Sequence, residues 1–294
     1  ITVKTKYNHP VVPFNMLITT NSGAPRRIWT KNSAKGVKSK KAGFPIMIHY
    51  AAPARRHAET TGLSKETLCL WSGDCAKDCI ADSGNFEYSV NAKAELQAKA
   101  TALIMYPERY IYHMYLTALA NDPDHSYIKR AEGTSDFGFW QDKWRIINGR
   151  SLYEALGDSQ CAEYTKRRYP AGAQLPSNLH FTYSWSEHPR CAKWGREWLD
   201  AGYSTAVVVR AHPEEPKPRS SAKAVKQLLL DKGEWFGRKV VDGDASEARH
   251  KDPKGSIVLL YAKGSLLRAT QSRFPVYVDG DTLKPTYLSK GMKL

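Results

Sequence analysis

The sequence predicts an α/β fold, a full or partial (β/α) barrel with mainly parallel strands and a basic N-terminal extension. Three observations lead there. Short apolar runs recur from residue 127 onward, each ending in polar or charged residues. Helix-compatible stretches separate several of them. Chemically unusual side chains crowd the run ends, and they come from many runs rather than from one crossover point. Strand, polar tip, helix, strand is the rhythm of a mainly parallel sheet, whose carboxyl-terminal strand ends carry the site.

Residues 1–45 mix apolar pairs with Asn-Ser-Gly and Lys-Gly punctuation, which suits an arm or hairpin. Residues 31–41 hold few large apolar side chains and are expected to be mobile until an anion neutralises them. Residues 44–50 predict a strand. The boundary expected from this is a basic arm over 1–60 and a barrel-like catalytic domain over 61–294.

Residues 91–119 are the clearest helical stretch, rich in Ala and Leu, with a break or restart predicted at Pro107 because proline lacks the backbone N–H. Strands are predicted at 127–130, 161–164, 179–183, 205–209, 240–241 and 257–262. Helical spacers are predicted at 151–156, 191–201 and 221–232.

A chain of 294 residues with 41% hydrophobic and 25% charged residues can build a full core without staples. No stretch approaches the roughly 18 apolar residues of a membrane helix, and no signal peptide is visible. Five cysteines, an odd count, do not make a secreted disulfide framework. A soluble protein in a reducing cytoplasm, with no membrane partner, is the expectation. No internal repeat, phosphate-binding P-loop or dinucleotide fingerprint occurs.

The net charge is +15, and no acidic residue precedes Glu59. Such a field steers polyanions, so nucleic acid is the expected partner, DNA favoured. Arg26, Arg27, Lys38, Lys40 and Lys41 are the backbone-binding candidates in the N-terminal region.

Cys69, Cys75 and Cys79 place three thiols within eleven residues. Thiolates so close repel one another, and a bound cation relieves this. Gly73 gives the loop freedom to turn its sulfurs inward. Three sulfurs suit a cubane (4Fe–4S) iron–sulfur cluster with one open iron, or zinc completed by histidine or water. Redox exchange between Cys75 and Cys79, or inert thiols, are the plainer readings.

Glu132, Gly133, Thr134 and Ser135 form a tip suited to a cofactor's ribose or amine, with Asp136 as base or nucleophile. The same residues also make an ordinary Asx-type turn. Asp244 belongs to a second acidic tip. Lys166 and Arg167, beside Tyr164, suit a phosphate and a stacked base. Tyr183 and Trp185 are candidate stacking platforms, with Glu187 or His188 moving a proton. Arg210 is either a phosphate clamp or the partner of a carboxylate.

Taken in order, the cysteine stretch, Gly133-Thr134-Ser135-Asp136, Tyr164-Thr165-Lys166, residues 179–186, Val241-Asp242-Gly243-Asp244, Asp252-Pro253-Lys254-Gly255 and Ala262-Lys263-Gly264 resemble a family of phage and plasmid proteins. That family was first named for a late-numbered early gene of a mycobacteriophage. The resemblance spans about residues 65–265 and implies a phage or mobile-element origin, hence the cytoplasm of a bacterial host. It implies no particular reaction.

The order of a three-cysteine loop, a long helix and a Glu132-Gly133 strand tip is also distantly similar to radical S-adenosylmethionine enzymes. There such a tip binds the methionine amine. The gaps between cysteines are longer here than in that family, and its Gly-Gly-Glu order is missing. A looser likeness, through Asp136 and Asp244, is to base-exchanging transglycosylases with aspartate nucleophiles.

The expected function is therefore a nucleic-acid base or nucleotide modifying enzyme with a three-cysteine iron–sulfur centre and, with it, S-adenosylmethionine. The alternatives are a DNA base transglycosylase with structural zinc, and a non-enzymatic phage protein that binds nucleic acid or inhibits a host factor.

Overall fold

The computed structural model describes residues 12–53, 68–76, 79, 89–187, 190–211, 218–263, 274–278, 280, 282–283 and 285. Its centre is a ten-stranded sheet. In chain order the strands are β1 Trp29–Thr30, β2 Ile46–His49, β3 Ile128–Arg130, β4 Cys161–Thr165 and β5 Leu179–Ser184. They continue with β6 Ser204–Ala211, β7 Glu234–Trp235, β8 Arg238–Asp242, β9 Ile257–Tyr261 and β10 Val276–Val278. Their spatial order is β1-β2-β3-β4-β5-β6-β9-β8-β7, with β10 beside the far end of β6.

Only β1–β2 and β7–β8 pair antiparallel. Every other pairing is parallel, from β2–β3 through to β8–β9. The mixed, mainly parallel α/β class is thus as expected. Among the described residues the hydrogen-bonded path is open, with β1 and β7 at its ends. Every predicted strand run has its strand. Near-continuous burial along β2, β3 and β6 is what a sheet covered on both faces requires.

The helices are α1 Phe14–Ile18, α2 Ala34–Lys41, α3 Val90–Met105, α4 Pro107–Asn121, α5 Leu152–Ala155, α6 Cys191–Asp200 and α7 Pro218–Lys232. The long helical stretch divides at Pro107. Tyr106 leaves helical geometry at φ −137°, and Pro107 restarts the helix where its missing N–H costs nothing. Ser89 caps the first half by accepting from the N–H of Ala92 at 3.2 Å.

The lysine-rich segment 31–41, expected to be mobile, holds α2 instead. Ser33 caps it by accepting from the Gly36 N–H at 3.1 Å. Buried Ser39 docks it, donating to the Phe44 carbonyl at 2.5 Å and accepting from the Glu247 N–H at 3.4 Å. The N-terminal part forms α1, β1 and β2 over its described residues, with Thr19 and Pro25 paired antiparallel across the turn between α1 and β1, and β2 lies inside the sheet between β1 and β3.

Between α4 and β3, Asp122 organises the turn. It accepts from Ser126 N at 3.0 Å, Ser126 Oγ at 2.8 Å and Tyr127 N at 3.0 Å, and it pairs with buried Lys129. No helix among the described residues is long and apolar enough to cross a membrane.

Candidate active site at the strand ends

The carboxyl ends of β3, β4, β5, β8 and β9 surround one cavity of about 420 Å³, which α2 and the cysteine loop close from the sides. That volume suits a small molecule or a single nucleotide.

Cys69, Cys75 and Cys79 all line this cavity. Their loop is tied to the β3 tip. Cys69 pairs with Asp136 in a parallel bridge, the Asp136 N–H donates to the Leu68 carbonyl at 2.7 Å, and the Cys69 thiol reaches the Thr134 carbonyl at 3.6 Å. Residues Gly73–Ala76 form a 3-10 turn, with Gly73 at φ +53° and backed against the carboxylate of Glu187.

All five cysteines carry thiols. Burial pushes the Cys69 thiol well above its usual range, and the neighbouring charges of Cys79, Asp136 and Cys75 push the same way, with Lys166 opposing. Cys69 is thus in electrostatic reach of both Cys75 and Cys79. Lys166 faces them and donates to Ser184 Oγ at 3.0 Å. Burial disfavours its charge, but Cys75, Asp136, Cys69 and Cys191 outweigh this and raise its pKa.

This donor set, three soft sulfurs lining one cavity, fits the chemistry of a thiophilic metal or an iron–sulfur cluster. Among the described residues no three His, Cys, Asp or Glu groups are already drawn together in coordinating geometry.

Asp136 is clamped. Its Oδ1 accepts from Thr165 Oγ1 at 3.0 Å and lies 3.4 Å from Arg167 Nε, while Oδ2 accepts from the Lys166 N–H at 2.8 Å. Arg167 also donates to the carbonyls of Asp136 and Phe137 at 2.6 and 3.0 Å. Asp136 therefore fastens the β3 tip to the β4 tip, and through Cys69 it fastens the cysteine loop to both.

Behind it lie two buried acids. Glu132 accepts from the Gly138 N–H at 2.7 Å through Oε1, and its Oε2 has no partner among the described residues. Glu163 Oε1 accepts from Ala131 N at 2.5 Å, Glu132 N at 3.0 Å and Tyr153 OH at 2.5 Å. Burial raises both carboxyls, and the neighbouring charges of Glu163 and Asp136 push Glu132 the same way. Gly133, beside them, serves close approach. A Cβ there would stand 2.6 Å from both Ile48 and Tyr50.

On the opposite side, Asp244 is held by Lys226 Nζ at 3.0 Å and by Lys263. Burial alone would raise its carboxyl, but the two lysines dominate and hold it low. Glu247 pairs with Lys35 at 3.1 Å and Arg130 at 2.8 Å, and the Arg130 guanidinium lies 4.4 Å over the Tyr164 ring.

Of the residues singled out from sequence, the cavity gathers Lys38, the three loop cysteines, Glu132, Gly133, Thr134, Ser135, Asp136, Lys166 and Asp244. Arg167 and Glu187 stand just behind it, on Asp136 and Gly73. Tyr183 and Trp185 do not line it. They are buried under α6, where Gly195 admits the Trp185 ring to 3.1 Å of where a Cβ would be, so they are core rather than stacking platforms. Arg210 is buried in β6, 5.6 Å over the Tyr277 ring. Arg26, Arg27, Lys40 and Lys41 lie away from the cavity, and His188 lies outside the described residues.

Sequence reasoning missed Lys35, Arg130, Glu163, Lys226 and Glu247. Glu163 did leave a signal, a lone acid inside an otherwise apolar run.

The sequence pattern of one protein family, Gene product 88, matches residues 26–277. The chain belongs to the Gene product 88 family. The match covers every wall of the cavity, from α2 to Phe274, and bears out the resemblance to phage gene products. No curated protein matches the chain, and no solved structure does.

Proposed function

We propose that the protein is an enzyme that modifies a nucleotide or nucleic-acid base, with Cys69, Cys75 and Cys79 as ligands of an iron–sulfur centre in the wall of the strand-end cavity. One observation carries this reading. The three thiols share a cavity of about 420 Å³ with five cationic side chains and with the rings of Trp71, Tyr164, Tyr261 and Phe274. Aromatic surface, positive charge and soft sulfur in one small space suit an anionic, ring-bearing substrate.

Bound to the thiols, such a centre would supply one-electron chemistry. The chain's own residues would do the rest. Lys166 stabilises thiolate charge, and the Asp136 clamp sets the cysteine loop against the β4 tip. Glu132, whose carboxyl burial raises and whose Oε2 is unpartnered among the described residues, lines the cavity, with Gly133, Thr134 and Ser135 as the edge that takes a nucleoside cofactor such as S-adenosylmethionine. A partial barrel is the fold that goes with this reading, since the tips of five strands meet at one cavity. Base exchange through an aspartate nucleophile has less support, because both oxygens of Asp136 and of Asp244 are already engaged.

The test is metal and sulfide analysis on protein purified without oxygen, followed by mass spectrometry of the nucleosides from cells that express it. Iron with sulfide, lost when any one of the three cysteines is replaced by alanine, together with an altered nucleoside, is the expected result. Stoichiometric zinc without iron would sink the iron–sulfur assignment.

A further inference from the structure

Away from the cysteine wall, the cavity carries a second concentration of charge. Lys35 on α2, Arg130 at the end of β3 and Lys263 just after β9 converge there from three distant parts of the chain. Lys35 and Arg130 share the single carboxylate of Glu247, at 3.1 and 2.8 Å. Lys263 shares Asp244 with Lys226, which also reaches Asp242 at 2.8 Å. Lys38, three residues along the helix from Lys35, lines the exposed rim. Four cations, Lys35, Lys38, Arg130 and Lys263, thus line this end with two carboxylates, Glu247 and Asp244, a surplus of two positive charges.

That surplus is felt locally. Burial disfavours the Lys35 ammonium most, and repulsion from Arg130 and Lys263 adds to it, while Glu247 opposes. Arg130 is 93% buried by its side chain, and its Nε has no acceptor among the described residues. A group with two negative charges and several acceptor oxygens would relieve the repulsion.

We infer that this end of the cavity is a phosphate subsite, in which Lys35, Lys38 and Lys263 hold the dianionic monoester phosphate of one nucleotide, with Arg130 as a fixed positive charge behind them. The inference rests on the nucleotide reading above and names where the phosphate goes. A backbone diester carries one charge and would leave half of the surplus uncompensated. The ring-bearing end of the nucleotide would then point toward the thiols and Lys166.

Calorimetry on the intact protein at low salt tests it. The probes are deoxynucleoside 5′-monophosphates, the matching deoxynucleosides, inorganic phosphate, and single-stranded oligonucleotides with and without a 5′-phosphate. The monophosphate should bind at least about tenfold more tightly than the nucleoside, as loss of a charge-assisted contact implies. Lys35→Gln and Lys263→Gln should each remove most of that difference, and inorganic phosphate should compete. Lys232→Gln, exposed at the end of α7 and outside the cavity, should leave it intact.

Lys263 is half exposed, so its variant keeps the test valid if Lys35→Gln fails to fold. A 5′-phosphorylated strand that binds as well as the free nucleotide keeps the subsite and assigns it to strand ends. Equal binding of both strands, tighter than the mononucleotide, overturns the monoester assignment. Nucleoside and monophosphate binding alike, or no binding of the monophosphate, overturns the subsite. Because the readout is binding, loss of the iron–sulfur reading on metal analysis would leave this result standing, and the reverse holds too.

Discussion

Gly73 and Glu187 are in direct contact: a Cβ on residue 73 would stand 2.1 Å from Glu187 Oε1. The contact seats the turn that carries Cys75 against the end of β5. Gly73 also has φ +53°, where a side chain costs about 1–2 kcal/mol. Gly73→Ala should therefore lower the melting temperature and expose Cys75 to thiol reagents. Glu187→Ala added to it should recover the part due to collision and leave the part due to φ. Additive effects of the two substitutions would show that the contact does not form.

Lys166 opposes the upward push on the Cys69 thiol. Lys166→Met should raise that thiol further and slow its alkylation at a fixed pH of about 8, by about three- to tenfold, since each pKa unit is tenfold in thiolate. Mass spectrometry of the cysteine peptides over a time course measures it. An unchanged rate would mean that the ammonium does not set the charge of the wall.

Burial pushes the Glu163 carboxyl from 4.5 up to about 7, and Glu132 moves in the same direction. The folded state then binds more protons than the unfolded state between those values. Stability from Glu163 is complete below pH 4.5 and is lost as pH rises through about 7, and Glu132 contributes in the same sense. Melting temperature should fall over that window, and Glu132→Gln should flatten the fall. A variant whose pH profile overlays that of the parent would refute the buried acid.

Asp122 behaves in the opposite sense. Burial acts to raise its carboxyl, but the bonds from Lys129, the Tyr127 N–H and Ser126 outweigh burial and hold it below its usual value of 3.8. Stability from the pair is present above that pH and lost as acid protonates the carboxylate. Asp122→Ala leaves Lys129 buried without its counter-charge and should cost about 3–5 kcal/mol in denaturant unfolding. Combining Asp122→Asn with Lys129→Met should recover most of it, because no buried charge remains.

Much of the fold could be read along the chain, because the signals are local. An apolar run ending in charge marks a strand whichever neighbour it later takes, and Pro107 divides a helix by its own chemistry. The three cysteines are close in space partly because they are close in sequence. Gly73 lies among them at φ +53°, and what it makes room for is Glu187, far along the chain.

The surroundings of charges and rings are set by segments distant in the chain. Lys31 to Lys41 looked mobile because nothing nearby neutralises it, yet Ser33 caps the helix and Glu247 receives Lys35. Tyr183 and Trp185 looked like stacking platforms because they end a strand. Whether a ring meets solvent depends on what covers the sheet, and α6 does.

The sequence by itself determined a mainly parallel α/β chain, its strand runs, and a three-thiol loop ahead of a long helix. Only the tertiary structure decided that Lys35, Arg130 and Lys263 converge on one end of a cavity whose other wall carries the thiols. The physical reason is the sheet order. β6 pairs with β9, and β8 lies beyond it, so charges remote in the chain become neighbours, and pairing across strands leaves no period in the sequence that records it.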